Sequence, residues 1–145
     1  MTFTLPPIVK LAERLLVCIE QAVRRFPRYH KYTIGADLRA SAMHVCETTH
    51  RAWRDRGQQA QWVHQLVFAI DDLRIRLQLA SRVRAFGSFR EFEMLARLAS
   101  DLGKQAGGWH RQQHPKGQNA GARTAPQQRA QILSTRAASI GEANA

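Results

Sequence analysis

Phe26-Pro27-Arg28-Tyr29-His30-Lys31-Tyr32-Thr33-Ile34-Gly35-Ala36-Asp37-Leu38-Arg39 ends one helical pattern, turns the chain and starts another. Proline at 27 lacks a backbone donor and biases Phe26 away from the helical region, so a helix arriving from the N-terminal side stops there. Thr33 is placed to cap the next helix, and Asp37 falls in its first turns, where a carboxylate meets the positive end of the helix dipole. Between these signals the cations Arg24, Arg25, Arg28, His30 and Lys31 alternate with Tyr29 and Tyr32.

Upstream of this elbow, Pro6 and Pro7 suit the first turn of a helix, where the donors they lack have no intrahelical partner in any case. Ile8, Leu11, Ala12, Leu15, Ile19, Ala22 and Phe26 then recur at three- and four-residue steps, which predicts a first helix over about Pro6 to Arg25. Downstream, Ile34, Leu38, Ala42, Val45, Thr49 and Ala52 continue the same periodicity in a second helix ending at Arg54 to Gly57, with the glycine as its C-terminal cap. The third helix, about Gln58 to Ala85, carries Trp62, Leu66, Ala69, Ile70, Leu73, Leu77 and Ala80 on one stripe. Val63, Val67 and Phe68 widen that stripe, which implies contact with two neighbours or with a second subunit. Gly87 closes the pattern, and Ser88-Phe89-Arg90-Glu91 has the form of a capping box. A fourth helix follows, its seam set by Phe92, Leu95, Ala99, Leu102, Ala106 and Trp109. Gly103, Gly107 and Gly108 weaken this helix, which close backbone approach or C-terminal fraying would explain.

Four amphipathic helices, short connections and no strand-like alternation predict an all-α, antiparallel up-down four-helix bundle over residues 1–114. Residues 115–145 read as a disordered basic tail of Gly, Gln, Asn, Ala, Ser and Arg. From Arg111 onward it holds Lys116, Arg123, Arg129 and Arg136 against the single acid Glu142.

The 145 residues suffice for one domain with a real core. Twenty-two Lys and Arg against eleven Asp and Glu give a formal net charge of +11, and a polyanionic partner would relieve the resulting self-repulsion. No secretory signal is recognisable, so the cytoplasm is the expected compartment. The most apolar segment, Trp62 to Ala80, is interrupted by His64, Asp71, Asp72, Arg74 and Arg76, which excludes a membrane span there. Cys18 and Cys46 lie inside helical patterns without metal-ligand spacing and read as reduced core thiols.

Catalytic constellations are not recognisable. The histidines at 30, 44, 50, 64, 110 and 114 lack ligand spacing, and His44 and His50 do not share a helical face. Asp71 and Asp72 diverge around their helix and have Arg74 and Arg76 at pairing distance in sequence. Gly107-Gly108 has no strand before it and no helix after it, so it is not a phosphate loop. Neither catalysis nor a cofactor is expected of this chain. The clustered cations with interleaved tyrosines instead suit phosphates and exposed bases. Arg82, Arg84 and Arg90, around Gly87, form a candidate second cationic rim. Trp53, Trp62 and Trp109 lie on or beside core stripes and read as packing residues.

Three motifs in order carry a resemblance to a known family: Pro27-Arg28-x-His30-Lys31-Tyr32-x-Ile34-Gly35-x-x-Leu38-Arg39, then Leu73-Arg74-x-Arg76-Leu77-x-Leu79-Ala80, then Leu102-Gly103-x-x-x-Gly107-Gly108-Trp109. Over about Ile8 to Arg111 the chain resembles the accessory variability determinant proteins of diversity-generating retroelements, relatives of the ribosomal-RNA intervening-sequence proteins. Val45-Cys46-Glu47-Thr48 departs from the helix-two text of the latter. The resemblance implies a four-helix bundle assembled into a homopentameric barrel. It also implies a protein that binds the retroelement reverse transcriptase together with RNA, and possibly DNA, in adenine-mutagenic copying of a template RNA. Residue by residue it adds Arg28, His30, Lys31, Arg39, Arg74 and Arg76 as candidates for the binding surface. A stand-alone bundle binding ribosomal RNA or another nucleic acid is the alternative that charge alone would allow.

Overall fold

Pro6 precedes helix α1 (Pro7–Arg24), whose first donors need no partner because proline supplies none. The structure, a computed structural model, describes residues 4–113; the tail expected at 115–145 lies outside the described residues. The buried face of α1 is Val9, Ala12, Leu15, Ile19, Ala22 and Val23, with Ile8 and Leu11 partly buried against it.

The elbow is more ordered than a turn. Arg28–Lys31 form a single helical turn, α2, closed by the Lys31 amide donating to the Pro27 carbonyl at 2.9 Å. Helix α3 (Ile34–Arg54) then starts at Thr33. The Thr33 hydroxyl does not cap forward: it donates backward to the Tyr29 carbonyl at 2.8 Å and so clips α2 to α3. Gly35 shows why the clip is tight. A Cβ there would stand 2.8 Å from Val23 Cγ1 and 2.9 Å from the His30 carbonyl oxygen, so α1, α2 and α3 meet at a position with no room for a side chain.

Helix α3 buries Leu38, Ala42, Val45, Cys46, Thr48, Thr49 and Ala52. The two threonines fit an apolar face because their hydroxyls donate to the carbonyls of His44 and Val45, each at 2.7 Å. The expected cap at Gly57 does not form. The helix ends at Asp55, whose amide donates to the Arg51 carbonyl at 2.8 Å, and Gly57 sits in a 3-10 turn, Arg56–Gln58.

Helix α4 (Gln59–Arg82) buries Val63, Leu66, Ala69, Ile70, Leu73, Leu77 and Ala80. Trp62, expected on this stripe, is only half-buried. The helix stops earlier than Gly87 suggested, because Arg84 takes the left-handed conformation, with φ at 59°. The Ala85 amide then reaches the Ala80 carbonyl and the Arg84 amide the Ser81 carbonyl, both at 3.0 Å, which is the Schellman arrangement. An arginine holds a position that glycine usually fills.

Helix α5 (Phe89–Gln113) begins with half of the expected capping box: the Glu91 amide donates to Ser88 Oγ at 3.2 Å, while the Glu91 carboxylate turns to Arg25. Leu95, Leu98, Ala99, Leu102 and Ala106 face the core, and the helix continues through all three glycines. Only Gly103 meets another helix, with Ile70 Cγ2 at 3.6 Å from its would-be Cβ, an ordinary contact. Close approach therefore does not require these glycines.

The four long helices form an antiparallel bundle in which α1 packs on α3, α3 on α4, α4 on α5 and α5 back on α1. Buried alanines on every helix, among them Ala12, Ala42, Ala80 and Ala99, keep the spacing close, and leucines fill the layers between them. One end of the bundle joins the elbow to the α4–α5 turn; the other joins the α3–α4 turn to the last turn of α5.

Candidate nucleic-acid interface

Two cationic segments far apart in sequence come together at the elbow end. Phe26 meets Phe86 edge to face at 5.0 Å between ring centroids, and Phe86 and Phe89 both pack on Phe92. This aromatic cluster brings the cations of the elbow beside those of the α4–α5 turn. Tyr29 and Tyr32 remain exposed at 77% and 68%.

Carboxylates divide the candidate cations into two groups. Arg25 donates through Nε to Glu91 Oε2 at 3.1 Å and again through Nη2, joining the end of α1 to the start of α5. The Glu91 side chain is only 14% exposed, so this pair is partly shielded from solvent. Glu20 lies between Arg24, at 3.7 Å, and Arg39, at 2.7 Å, joining α1 to α3. The Arg39 contact is short, yet its Nε is not aimed as a hydrogen bond, so it acts as an ion pair. Arg25 and Arg39 therefore tie helices together, while Arg24 is paired within α1. By contrast, Arg28, Lys31, Arg82, Arg84 and Arg90 have no acidic group within 4.0 Å among the described residues. His30 stacks edge to face on Tyr29 at 5.3 Å.

Arg74 and Arg76 do not join that group. Arg74 reaches toward Gly103 of α5, whereas Arg76 lines a shallow groove with Asp37, Ser41, His44 and Asp72 between α3 and α4. The pairings expected from Asp71 to Arg74 and from Asp72 to Arg76 do not form within 4.0 Å.

The opposite end holds a group that periodicity alone assigned to packing. Arg51 lies over the Trp62 ring at 5.4 Å, and Arg54 over the Trp53 ring at 5.9 Å. Trp62 Nε1 donates to Asp55 Oδ2 at 3.0 Å. Gln59 donates to the Ala52 carbonyl at 2.9 Å and accepts from Gln113 at 2.7 Å, so the last turn of α5 is fastened beside this corner. Trp109 packs on the core, but Trp53 and Trp62 are half-buried outside it. Arginines at 51 and 54 flanking a tryptophan are the signal that could have marked this site.

His50 and Glu13 meet at 2.9 Å across α1 and α3, and His64 lies between Phe68 and His110. Burial, with the Glu13 and Glu47 carboxylates nearby, pushes the Cys46 thiol up, which keeps it protonated. Cys18 and Cys46 are both free thiols. No group of three or more His, Cys, Asp or Glu could hold a metal ion among the described residues. No helix among them is long and apolar enough to cross a membrane.

Helix α4 is apolar on two opposite faces. Away from the core it exposes Phe68 at 58%, Ile75 at 55%, Leu79 and Val83. Near the elbow end this stripe borders a groove lined by Ile75, Gln78, Leu79, Ser81, Arg82 and Phe92. Fold and surface together define an all-α four-helix bundle with cations concentrated at both ends. No family model matches the chain, and no curated protein matches it.

Proposed function

We propose that this chain is an accessory protein of a diversity-generating retroelement, binding its reverse transcriptase and its template RNA or cDNA in support of mutagenic copying. The observation that carries the reading is the meeting, at one end of the bundle, of Arg28 and Lys31 with Arg82, Arg84 and Arg90, none held by a carboxylate. Two of these, Arg28 and Lys31, belong to the ordered motifs that resemble the accessory variability determinant family. Clustered cations without counter-charges are what a phosphate backbone neutralises, with release of its counterions. Exposed Tyr29 and Tyr32 add stacking surface beside them.

The protein acts as a homo-oligomer, a pentamer by the resemblance. Support for self-association is the outer apolar stripe of α4, which a monomer leaves in water. The polymerase active site belongs to the partner.

The test is co-purification of the chain with the reverse transcriptase encoded beside it and with the template RNA. Arg28→Glu combined with Lys31→Glu should lower that recovery at least about tenfold while helix content is unchanged. Full recovery with the double variant would remove the elbow from the interface. Binding to ribosomal RNA with no reverse transcriptase encoded nearby would favour the stand-alone bundle instead.

A further inference from the structure

The chain has three tryptophans, and all three lie at the end of the bundle opposite the elbow. Trp53 is in the last turn of α3, Trp62 in the first turn of α4 and Trp109 in the last turns of α5. The same corner holds Arg51, Arg54, Arg56 and Arg111, with Asp55 as the nearby acid, and Asp55 is engaged by Trp62. We infer that this end is a second binding site, for single-stranded nucleic acid, separate from the elbow site proposed above and resting on that reading.

Three observations support the site, and the first of them selects a single strand. A guanidinium lies over each of two half-buried indoles that are not part of the core. Such pairs present flat surfaces on which unpaired bases stack, either on the indole or on the guanidinium plane, while the guanidinium edges face phosphate. A duplex keeps its bases stacked on one another and offers no such face. Second, Arg56 and Arg111 add cations without acidic partners within 4.0 Å among the described residues, as a polyanion requires. Third, the corner is fixed before any ligand arrives: the Trp62–Asp55 and Gln59–Gln113 bonds hold the α3–α4 turn and α5 in place. Helix α4 spans the distance between the two sites, about 36 Å for its 24 residues, so one subunit can hold two separated segments of a strand.

The position of the tryptophans makes the test local, since their emission reports this end and not the elbow. The full chain is titrated with an oligouridine of about 15 nucleotides. Anisotropy of a labelled oligomer follows total binding, and tryptophan emission follows the second site. The expected result is quenching that saturates as anisotropy rises. Arg54→Gln combined with Arg56→Gln should remove the quenching, weaken binding about tenfold and lower the salt slope by about 1.4. Arg28→Gln combined with Lys31→Gln should weaken binding yet leave quenching at saturation. Rising anisotropy with constant emission would overturn the second site and leave the elbow reading standing. No anisotropy change at all would overturn the elbow reading, and the second site with it. Equal quenching by duplex RNA, or by polyglutamate, would overturn the assignment to a single strand.

Discussion

The two ends of the bundle are both basic, but they hold their cations in different ways. At the elbow, Glu20 and Glu91 take up Arg24, Arg39 and Arg25, and the cations left over stand beside exposed tyrosines. At the other end, Arg51 and Arg54 rest on indoles. A carboxylate neutralises an arginine, so that side chain serves the fold. An indole orients an arginine and leaves its charge intact, so the side chain stays available to an anion. Counting basic residues therefore overstates the elbow and understates the opposite corner.

The largest expected effect tests whether the ends belong to one cooperative unit. Leu73 and Leu102 are fully buried on facing helices, and Leu73→Ala or Leu102→Ala should each destabilise the bundle by about 2–5 kcal/mol. Tryptophan emission, reporting one end, and overall helix content should be lost at the same denaturant midpoint; separate midpoints would mean that the ends unfold independently. Gly35→Ala comes next, at about 1–3 kcal/mol, because the added methyl meets Val23 and a backbone carbonyl that cannot move freely. Its effect on binding should be confined to the elbow, with quenching at the tryptophan end retained.

Glu91→Gln should cost about 1–2 kcal/mol by weakening the tie between α1 and α5. It also releases Arg25, so the salt dependence of nucleic-acid binding should steepen by about one. An unchanged slope would show that Arg25 points away from the ligand even when free. The smallest effect has the opposite sign. Arg84→Gly relieves a left-handed backbone and should stabilise the fold by about 0.5–1 kcal/mol, read as a higher denaturant midpoint, while weakening binding at the elbow.

The long helices were legible because each carries its apolar residues at a 3.6-residue period, and Leu38, Leu66, Leu95 and Leu102 lie buried as their stripes required. Helix α2 was not, since four residues are too few to show a period. The expected cap at Gly57 and the expected stop at Gly87 failed for one reason. What ends α3 and α4 is the set of backbone bonds at Asp55 and Arg84, with Ala85 buried under the second turn, and packing of that kind leaves no local trace in composition. The candidate site was half legible. Its cations could be named from the sequence, but the partner of Arg25 lies 66 residues away, so which cations are engaged is a tertiary fact. The arginine–indole pairs of the tryptophan corner were not legible, because the period that finds a core stripe also absorbs residues at its edge, and Trp53 and Trp62 stand there half-buried.

The bare outer face of α4 bears on how stability itself should be measured. A second copy covering Phe68, Ile75, Leu79 and Val83 would bind only the folded chain, and whatever binds the native state alone raises its apparent stability by mass action. The melting temperature would then rise with protein concentration. Each subunit would be held in its fold partly by the abundance of its own kind.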